Sequence, residues 1–428
     1  MTRPGSPDSR RPALMPLDDA LSQLLAFAVP LADIEFVSTF EADGRVLAQD
    51  LVSALQVPPH DNSSMDGYAV RCFDVAQALQ STEPEGGTLP VSQRIAAGSS
   101  GVPLAPMTAA RIFTGAPIPL GADAVVMQED CDVLPGADGP GSTVVRIKSV
   151  PAPGQWIRRA GEDVTQGAVV LSKGERLTPA ALGLAASIGM NVLQVARRPR
   201  VALFSTGDEL VMPGDVAPEQ MKPGAIYNSN RFFLRALLLR LGCEVSDLGI
   251  VPDRLDATVA ALQAAAQRHD LILTSGGVSV GEEDHIKPAV QSLGQLDLWQ
   301  IAIKPGKPFA YGRVANAHFI GLPGNPVSSF VTFLLLVRPF LLKLQGVTQG
   351  AIKSIAVPAH FTWARADKRR EFLRVRRNAA GGLDLFANQS SGVLTSAVWG
   401  DGLVDNPPGQ TIAFGDPVRF IPFSELLG

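Results

Sequence analysis

Asp270-Leu271-Ile272-Leu273-Thr274-Ser275-Gly276-Gly277-Val278-Ser279-Val280-Gly281-Glu282-Glu283-Asp284 is the stretch whose reading decides the fold. Leu271 to Leu273 is a short apolar run of the kind that forms a buried strand. Ser275-Gly276-Gly277 then lets backbone N–H groups approach an anion, because glycine has no Cβ in the way. Three acids close the stretch, and they would repel that anion unless a cation lay between. A loop that suits both phosphate and a divalent metal points to phosphoryl or nucleotidyl chemistry.

The same rhythm runs outward on both sides. Apolar periodicity predicts strands at 201–204, 244–250, 271–273, 296–303 and 317–321, and helices at 231–241, 253–269, 286–293 and 327–344. Such alternation argues for a mainly parallel, doubly wound α/β sheet covered on both faces. Ligands of such sheets bind beyond the carboxyl ends of the strands. The strand-end loops are Ser205-Thr206-Gly207-Asp208-Glu209, the turn at Asp253, the opening loop, Lys304-Pro305-Gly306-Lys307-Pro308 and Gly321-Leu322-Pro323-Gly324-Asn325-Pro326. Glu209, Asp253 and Asp284 suit Mg²⁺, a hard cation that prefers oxygen ligands. Lys304 and Lys307 suit an oxyanion, and a helix starting at Asn325-Pro326 offers unpaired N–H groups and a positive dipole end. Taken singly, Asp253 reads as an N-cap worth ~1 kcal/mol. The lysines alone read as solvated surface groups, and Gly-Gly as an ordinary turn. Co-location on one domain carries the functional reading.

The rest of the chain bounds the answer. At 428 residues the length prior is about three domains. Hydrophobic residues make up 46% and charged residues 18%, enough for several cores, and a net charge of −4 argues against a nucleic-acid-binding surface. Cys72, Cys131 and Cys243 are far apart and form no CxxC pattern, so a disulfide framework or thiolate zinc site is not expected. Residues 1–13 are Pro-, Ser- and Arg-rich, read as a disordered tail, and lack the apolar core of a secretory signal. The apolar run at 330–337 is short of the ~20 residues a membrane span needs. The expectation is a soluble, cytoplasmic protein without membrane or nucleic-acid partners. Residues 17–27 have helical spacing, with Asp18 and Asp19 complementing the dipole of the first turn. Thr178-Pro179 opens another helix. Short β-like runs fill 58–151 and return after 346.

Seven strings carry a family resemblance: Asp61-Asn62-Ser63-Ser64-Met65-Asp66-Gly67-Tyr68-Ala69-Val70, Phe113-Thr114-Gly115-Ala116-Pro117, Arg158-Arg159-Ala160-Gly161-Glu162-Asp163, and the loops at 205–209, 274–281, 303–309 and 321–326. In this order they resemble the MoeA family of molybdopterin molybdenumtransferases, to which the gephyrin E domain is related. The resemblance implies a multidomain α/β plus β protein. Residues 14–57 and 152–196 would form a mixed elongated domain, 58–151 an inserted β-rich domain, 197–345 a central doubly wound α/β molybdopterin-binding domain, and 346–428 a C-terminal β-barrel-like domain. It also implies a homodimer with an intersubunit active site, between the α/β domain of one subunit and the inserted domain of the other. The implied reaction is Mg²⁺-dependent insertion of molybdate into adenylyl-molybdopterin with release of AMP. Implied partners are a molybdopterin adenylyltransferase and molybdoenzyme maturation proteins.

By motif, Asp66, Thr114, Glu209, Asp253 and Asp284 carry over as catalytic. Ser205, Thr206, Gly207, Asp208, Ser275, Gly276, Gly277, Ser279, Lys304, Lys307, Pro323, Asn325, Pro326, Arg374 and Ser391 carry over as substrate-binding. Two alternatives compete: an adenylyltransferase that activates free molybdopterin with ATP, and a gephyrin-like scaffold. Asp66, Glu209 and the additional domains favour insertion.

Overall fold

The computed structural model describes residues 14–81, 87–136, 141–277, 285–348 and 352–427. Helix α1 (Leu17–Phe27) buries Leu17, Ala20 and Leu24, one stripe at helical spacing. Sequence reading grouped this helix with the elongated domain. Its stripe instead joins the core of the α/β domain, with Val201, Leu271 and Phe340. Met15 anchors the entry, exchanging backbone bonds with Gln300 (2.8 Å) and Ala302 (2.7 Å).

Strand β1 (Ile34–Ser38) begins a second body. It pairs antiparallel with β8 (Val192–Ala196), so two segments far apart in the chain lie side by side. Between them the chain builds a six-stranded sheet in the order β5-β2-β4-β3-β7-β6, from β2 (Gly67–Val70), β3 (Thr88–Ile95), β4 (Ala109–Ile112), β5 (Ala124–Met127), β6 (Cys131–Pro135) and β7 (Thr143–Ile147). On the way back, helix α2 (Pro179–Ser187) starts as read: the Thr178 hydroxyl accepts the Ala181 N–H at 3.2 Å and Pro179 fills the first turn. Its Ala181 and Ala185 pack with Leu47, Leu51 and Val195.

The α/β body is built on β9 (Arg200–Thr206), helix α3 (Asn230–Arg240), β10 (Glu244–Val251), helix α4 (Leu255–Ala266), β11 (Leu271–Ser275), helix α5 (Ile286–Leu293), β12 (Gly294–Gln300), β13 (Ile303–Lys304), β14 (Pro308–Val314) and β15 (Ala317–Leu322). Its sheet runs β10-β9-β11-β15-β14-β12. The first four strands are parallel, and β14 runs antiparallel to both its neighbours, β15 and β12. The sheet is therefore mixed rather than mainly parallel throughout, through a strand, β14, that the sequence pattern did not show. Strands turn alternate residues to opposite faces. Val201, Leu203, Leu271 and Leu273 pack with α3, while Ala202, Phe204 and Ile272 pack with α4 and α5.

Helix α6 (Pro326–Leu344) passes through the core. By length and composition it would serve as a membrane span, but 89% of its apolar window is buried within the fold. Its middle, Phe333–Val337, is a π turn directly before Arg338-Pro339. Proline lacks an N–H and clashes with the preceding turn, and the wider π turn absorbs that misfit.

The last body uses β16 (Ile355–Pro358), β17 (Arg370–Arg377), β18 (Leu383–Leu385), β19 (Gly402–Asn406) and β20 (Pro417–Pro422). These pair in the order β17-β19-β20-β16, with β18 also on β17. A bridge from Ala359 to Leu383 returns the end of β16 to β18. The sheet thus meets itself around Val357, Val375, Val404 and Phe420. Strand β13 of the α/β body adds to its β17 edge.

Candidate active site

The carboxyl ends of β9, β10, β11 and β15 share one edge because the four strands are parallel. Residues 301–307 reach it too, since β14 runs antiparallel to β15, with Ala310 opposite Gly321. At this edge Gly207 has φ +139°, and a Cβ there would lie 2.5 Å from the Glu209 carboxylate. Only glycine lets that side chain fold back over the loop. The Asp253 N–H points to Asp208 Oδ1 at 3.4 Å, joining the loops after β9 and β10. Asp253 is not the helix cap expected from sequence. Helix α4 begins at Leu255, with Arg254 as its flanking residue.

Ser205, Thr206 and Ser275 are buried at their strand ends. The Gly276 N–H donates to Leu322 O at 3.0 Å. Gly276 and Gly277 have φ +92° and +68°. A Cβ on Gly277 would strike Ile286 at 2.5 Å and the Thr206 hydroxyl at 3.0 Å. The backbone therefore lies directly on the strand end. Asn230, at the start of α3, ties the edge together: its Nδ2 donates to Ser275 Oγ and to Gly324 O, both at 2.7 Å. Beneath the loops, Ser205 Oγ, Thr274 Oγ1, Asn228 Nδ2, Asn230 Oδ1 and Thr332 Oγ1 are buried without a hydrogen-bond partner among the described residues. Buried polar atoms are normally satisfied, so this concentration of orphans marks a prepared binding edge.

Pro323 O accepts from the Ser329 hydroxyl at 2.9 Å, and Asn325 and Pro326 open α6 as expected. The helix end is not wholly open to a ligand. Val327 N–H is taken by Ser391 O at 2.9 Å, which brings the C-terminal domain to the site through its backbone. Arg374 was expected to touch substrate. The structure buries it instead, with Nε on Ser396 Oγ (3.0 Å), Nη1 on Phe372 O (3.2 Å) and Nη2 on Ser390 O (3.2 Å). No carboxylate pairs with it among the described residues, and burial pushes its pKa down to about 10. Arg374 positions the loop that carries Ser391.

Lys304 also departs from expectation. Its ammonium pairs with Glu371 at 2.9 Å and Asp367 at 3.4 Å, because β13 lies along β17. Lys307 is exposed and has no ion pair among the described residues, so it is the lysine available to an oxyanion.

Asp66 and Thr114 lie on the inserted domain. Asp66 Oδ1 accepts both the Thr114 N–H and its hydroxyl at 2.8 Å. The Thr114 N–H, then its hydroxyl, lower the Asp66 pKa below the ordinary carboxylate value. The Arg158-Arg159-Ala160 string is tied to the same domain, with Asp61 accepting from the Ala160 N–H at 2.8 Å and from Arg159 at 2.6 Å. The inserted-domain core clusters contain no residue of the α/β body. Among the described residues of one chain, no contact joins Asp66 or Thr114 to Glu209.

Ser279 and Asp284 lie outside the described residues. Among the described residues no group of three His, Cys, Asp or Glu could hold a metal. Asp208, Glu209 and Asp253 have the oxygen-donor chemistry of a Mg²⁺ site but do not complete one. Asn228 and Asn230 were missed by sequence reasoning. Their signal was an Asn-Ser-Asn cluster directly before an apolar helix, which reads as ordinary capping.

Edge and orphans together describe a multidomain protein whose α/β body carries a polar strand-end edge. Family models agree. One described as the MoeA N-terminal region (domain I and II) matches residues 15–189. A probable molybdopterin binding domain matches 202–343, and the MoeA C-terminal region (domain IV) matches 356–423. A molybdopterin molybdenumtransferase of Haemophilus influenzae is 40% identical over 427 residues, covering 97% of this chain and 100% of that protein. One from Synechococcus elongatus is 38% identical over 91% of this chain and 94% of its own. The crystal structure of a molybdopterin biosynthesis MoeA protein from Pyrococcus horikoshii matches with TM-score 0.81 at 29% identity, covering 96% of this chain and 100% of that one. The chain belongs to the MoeA family, a family of enzymes of molybdenum cofactor biosynthesis.

Proposed function

We propose that this chain inserts molybdate into adenylyl-molybdopterin with release of AMP, in a Mg²⁺-dependent reaction. The observation that carries this reading is the α/β edge, where Asn230 holds the Ser275 and Gly324 loops together over a floor of unpartnered polar atoms. In the proposed reaction the phosphoanhydride P–O bond breaks and the two dithiolene sulfurs replace two molybdate oxygens. One oxygen is accounted for in AMP and one leaves as water. Glu209, Asp253 and Asp284 are the residues that would hold Mg²⁺, which would neutralise charge on the phosphoryl oxygens. Lys307 meets the anion, and the backbone N–H of Gly277 orients it, the Gly276 N–H being held by Leu322 O.

The centre is completed by Asp66 and Thr114 of a second copy. Supporting a homodimer, the outer face of the β1–β8 pair exposes Ile34, Phe36 and Val192, with Phe40 beside them at 91% exposure. Apolar side chains so placed suit a self-complementary face.

The test supplies purified protein with adenylyl-molybdopterin, molybdate and Mg²⁺, and follows AMP and molybdenum-loaded pterin by chromatography. AMP formation that requires molybdate supports insertion. ATP consumption with free molybdopterin, and no AMP from the adenylylated substrate, refutes it. Asp66→Ala should reduce turnover by ~10²-fold while the elution volume of the dimer is unchanged.

A further inference from the structure

The face of the inserted sheet that holds Asp66 carries positive charge not used by the reaction above. Register fixes its layout. Tyr68 in β2 lies opposite Arg111 in β4, and Arg111 lies opposite Arg94 in β3. The three side chains form one row across adjacent strands. Asp66 stands two residues before Tyr68, and Phe113 two residues after Arg111. The Arg94 and Arg111 guanidinium carbons sit 4.5 Å and 4.7 Å from the Phe113 ring centroid. Arg111 is also 5.1 Å from the Tyr68 ring.

Like charges directly opposite on neighbouring strands are destabilising on their own. Among the described residues neither arginine has an ion pair. Arg111 gives two N–H groups to Gly67 O (3.2 Å) and Gln128 Oε1 (2.7 Å), while the Arg94 side chain has no hydrogen bond among the described residues. Asp66 beside them is bound through Oδ1 to Thr114 and feels the Arg111 charge, but it forms no ion pair with either arginine among the described residues. Asp132, nearby on β6, is paired with Lys148 at 3.4 Å. The aromatic ring holds both guanidinium groups in place before any ligand arrives, which lowers the entropy cost of binding. An open cleft of about 390 Å³ runs past Tyr68, Ser92, Arg94, Arg111 and Thr143.

We propose that Arg94 and Arg111 form an oxyanion subsite on the inserted domain, beside Asp66 and Thr114, for a tetrahedral dianion of the reaction. This rests on the reading that the Asp66 face completes the active centre. The nucleotide phosphate and molybdate share the required chemistry: each presents several oxygens to forked N–H donors.

Full-length wild type, Arg94→Ala, Arg94→Lys and Arg111→Lys are titrated by calorimetry with AMP, adenosine and molybdate, and insertion turnover is measured in parallel. The Arg94 side chain is exposed and makes no hydrogen bond among the described residues, so Arg94→Ala should keep the wild-type unfolding midpoint. It should weaken AMP or molybdate roughly tenfold or more and leave adenosine unchanged, with Arg94→Lys intermediate. Weaker AMP alone assigns the subsite to the nucleotide phosphate, and weaker molybdate alone assigns it to the metal oxyanion. Either result supports the proposal. Unchanged affinity for both, with insertion intact, overturns the subsite and leaves the reaction standing. Loss of oxyanion affinity in a protein that releases no AMP from adenylyl-molybdopterin overturns the reaction and leaves the subsite standing.

Discussion

Replacing Asn230 by alanine should damage the α/β edge more than any single loop substitution. Asn230 is 7% exposed and its Nδ2 bridges Ser275 Oγ and Gly324 O, both at 2.7 Å. Each such bond contributes about 0.5–1.5 kcal/mol net, and a buried acceptor left unsatisfied costs about 1–3 kcal/mol. Ser275 can turn its hydroxyl elsewhere, so the Gly324 carbonyl bears most of that penalty. The expected loss is therefore roughly 2–4 kcal/mol, taken as two lost bonds plus a partial desolvation cost. Asn230→Asp keeps the shape but sets an oxygen against the Gly324 carbonyl, and it should cost at least as much. The assay is urea unfolding of the full chain, read by fluorescence and circular dichroism so that separate domain transitions are visible. Titration with AMP runs alongside. Both variants should lower the midpoint of the α/β transition and weaken AMP binding. A loss below ~0.5 kcal/mol for both, with ligand affinity unchanged, would refute the bridging role.

Three further outcomes follow from the same packing. His318 is buried against Tyr311, whose hydroxyl lies 2.8 Å from Nδ1, and burial, then the Arg313 charge, lowers its pKa from 6.5 to about 4. The unfolded chain takes the proton first, so His318 contributes full stability above about pH 6.5 and loses it as pH falls towards 4. The loss is up to ~3 kcal/mol, and His318→Gln should flatten stability across that window. Arg370 forks onto Asp405, whose side chain is 1% exposed, at 2.6 and 2.7 Å, and also reaches Asp18 of α1 at 3.0 Å. Arg370→Leu should destabilise the chain by roughly 3–5 kcal/mol in denaturant unfolding, because a buried carboxylate loses its main partner. Lys304→Met leaves Glu371 held by Trp363 Nε1 at 2.8 Å and Asn406 Nδ2 at 3.4 Å. It should cost stability, seen as a lower unfolding midpoint, whereas Lys307→Met should reduce oxyanion affinity with little change in stability.

Much of the architecture was legible because its signals are local. Thr178 followed by Pro179 marks a helix start through a cap and a preset φ, and the helix begins there. The alternation of Val201, Ala202, Leu203 and Phe204 put apolar groups on both faces of one strand, and two separate cores receive them. Other features were illegible for a stated reason. Strand β14 follows a Pro- and Gly-rich loop, and its partners are β12 and β15, so its identity depends on pairing rather than its own pattern. Asp253 looked like a cap, yet the helix starts two residues later.

By itself the sequence determined where the strand-end loops fall, which of them carry acids, lysines and glycines, and that they occur in MoeA-family order. Those properties depend on neighbours within a few residues and on spacings of 2 and 3.6. Only the tertiary structure decided which partner each charged or polar group found. It sent Lys304 to Glu371 and Arg374 into the C-terminal core, and it set Asn230 between Ser275 and Gly324. It also laid α1 on the α/β core and placed Arg94 across from Arg111. Such pairings join residues far apart in the chain. They arise from how whole faces pack and from the cost of leaving a buried polar group alone, neither of which is written in any single stretch of sequence.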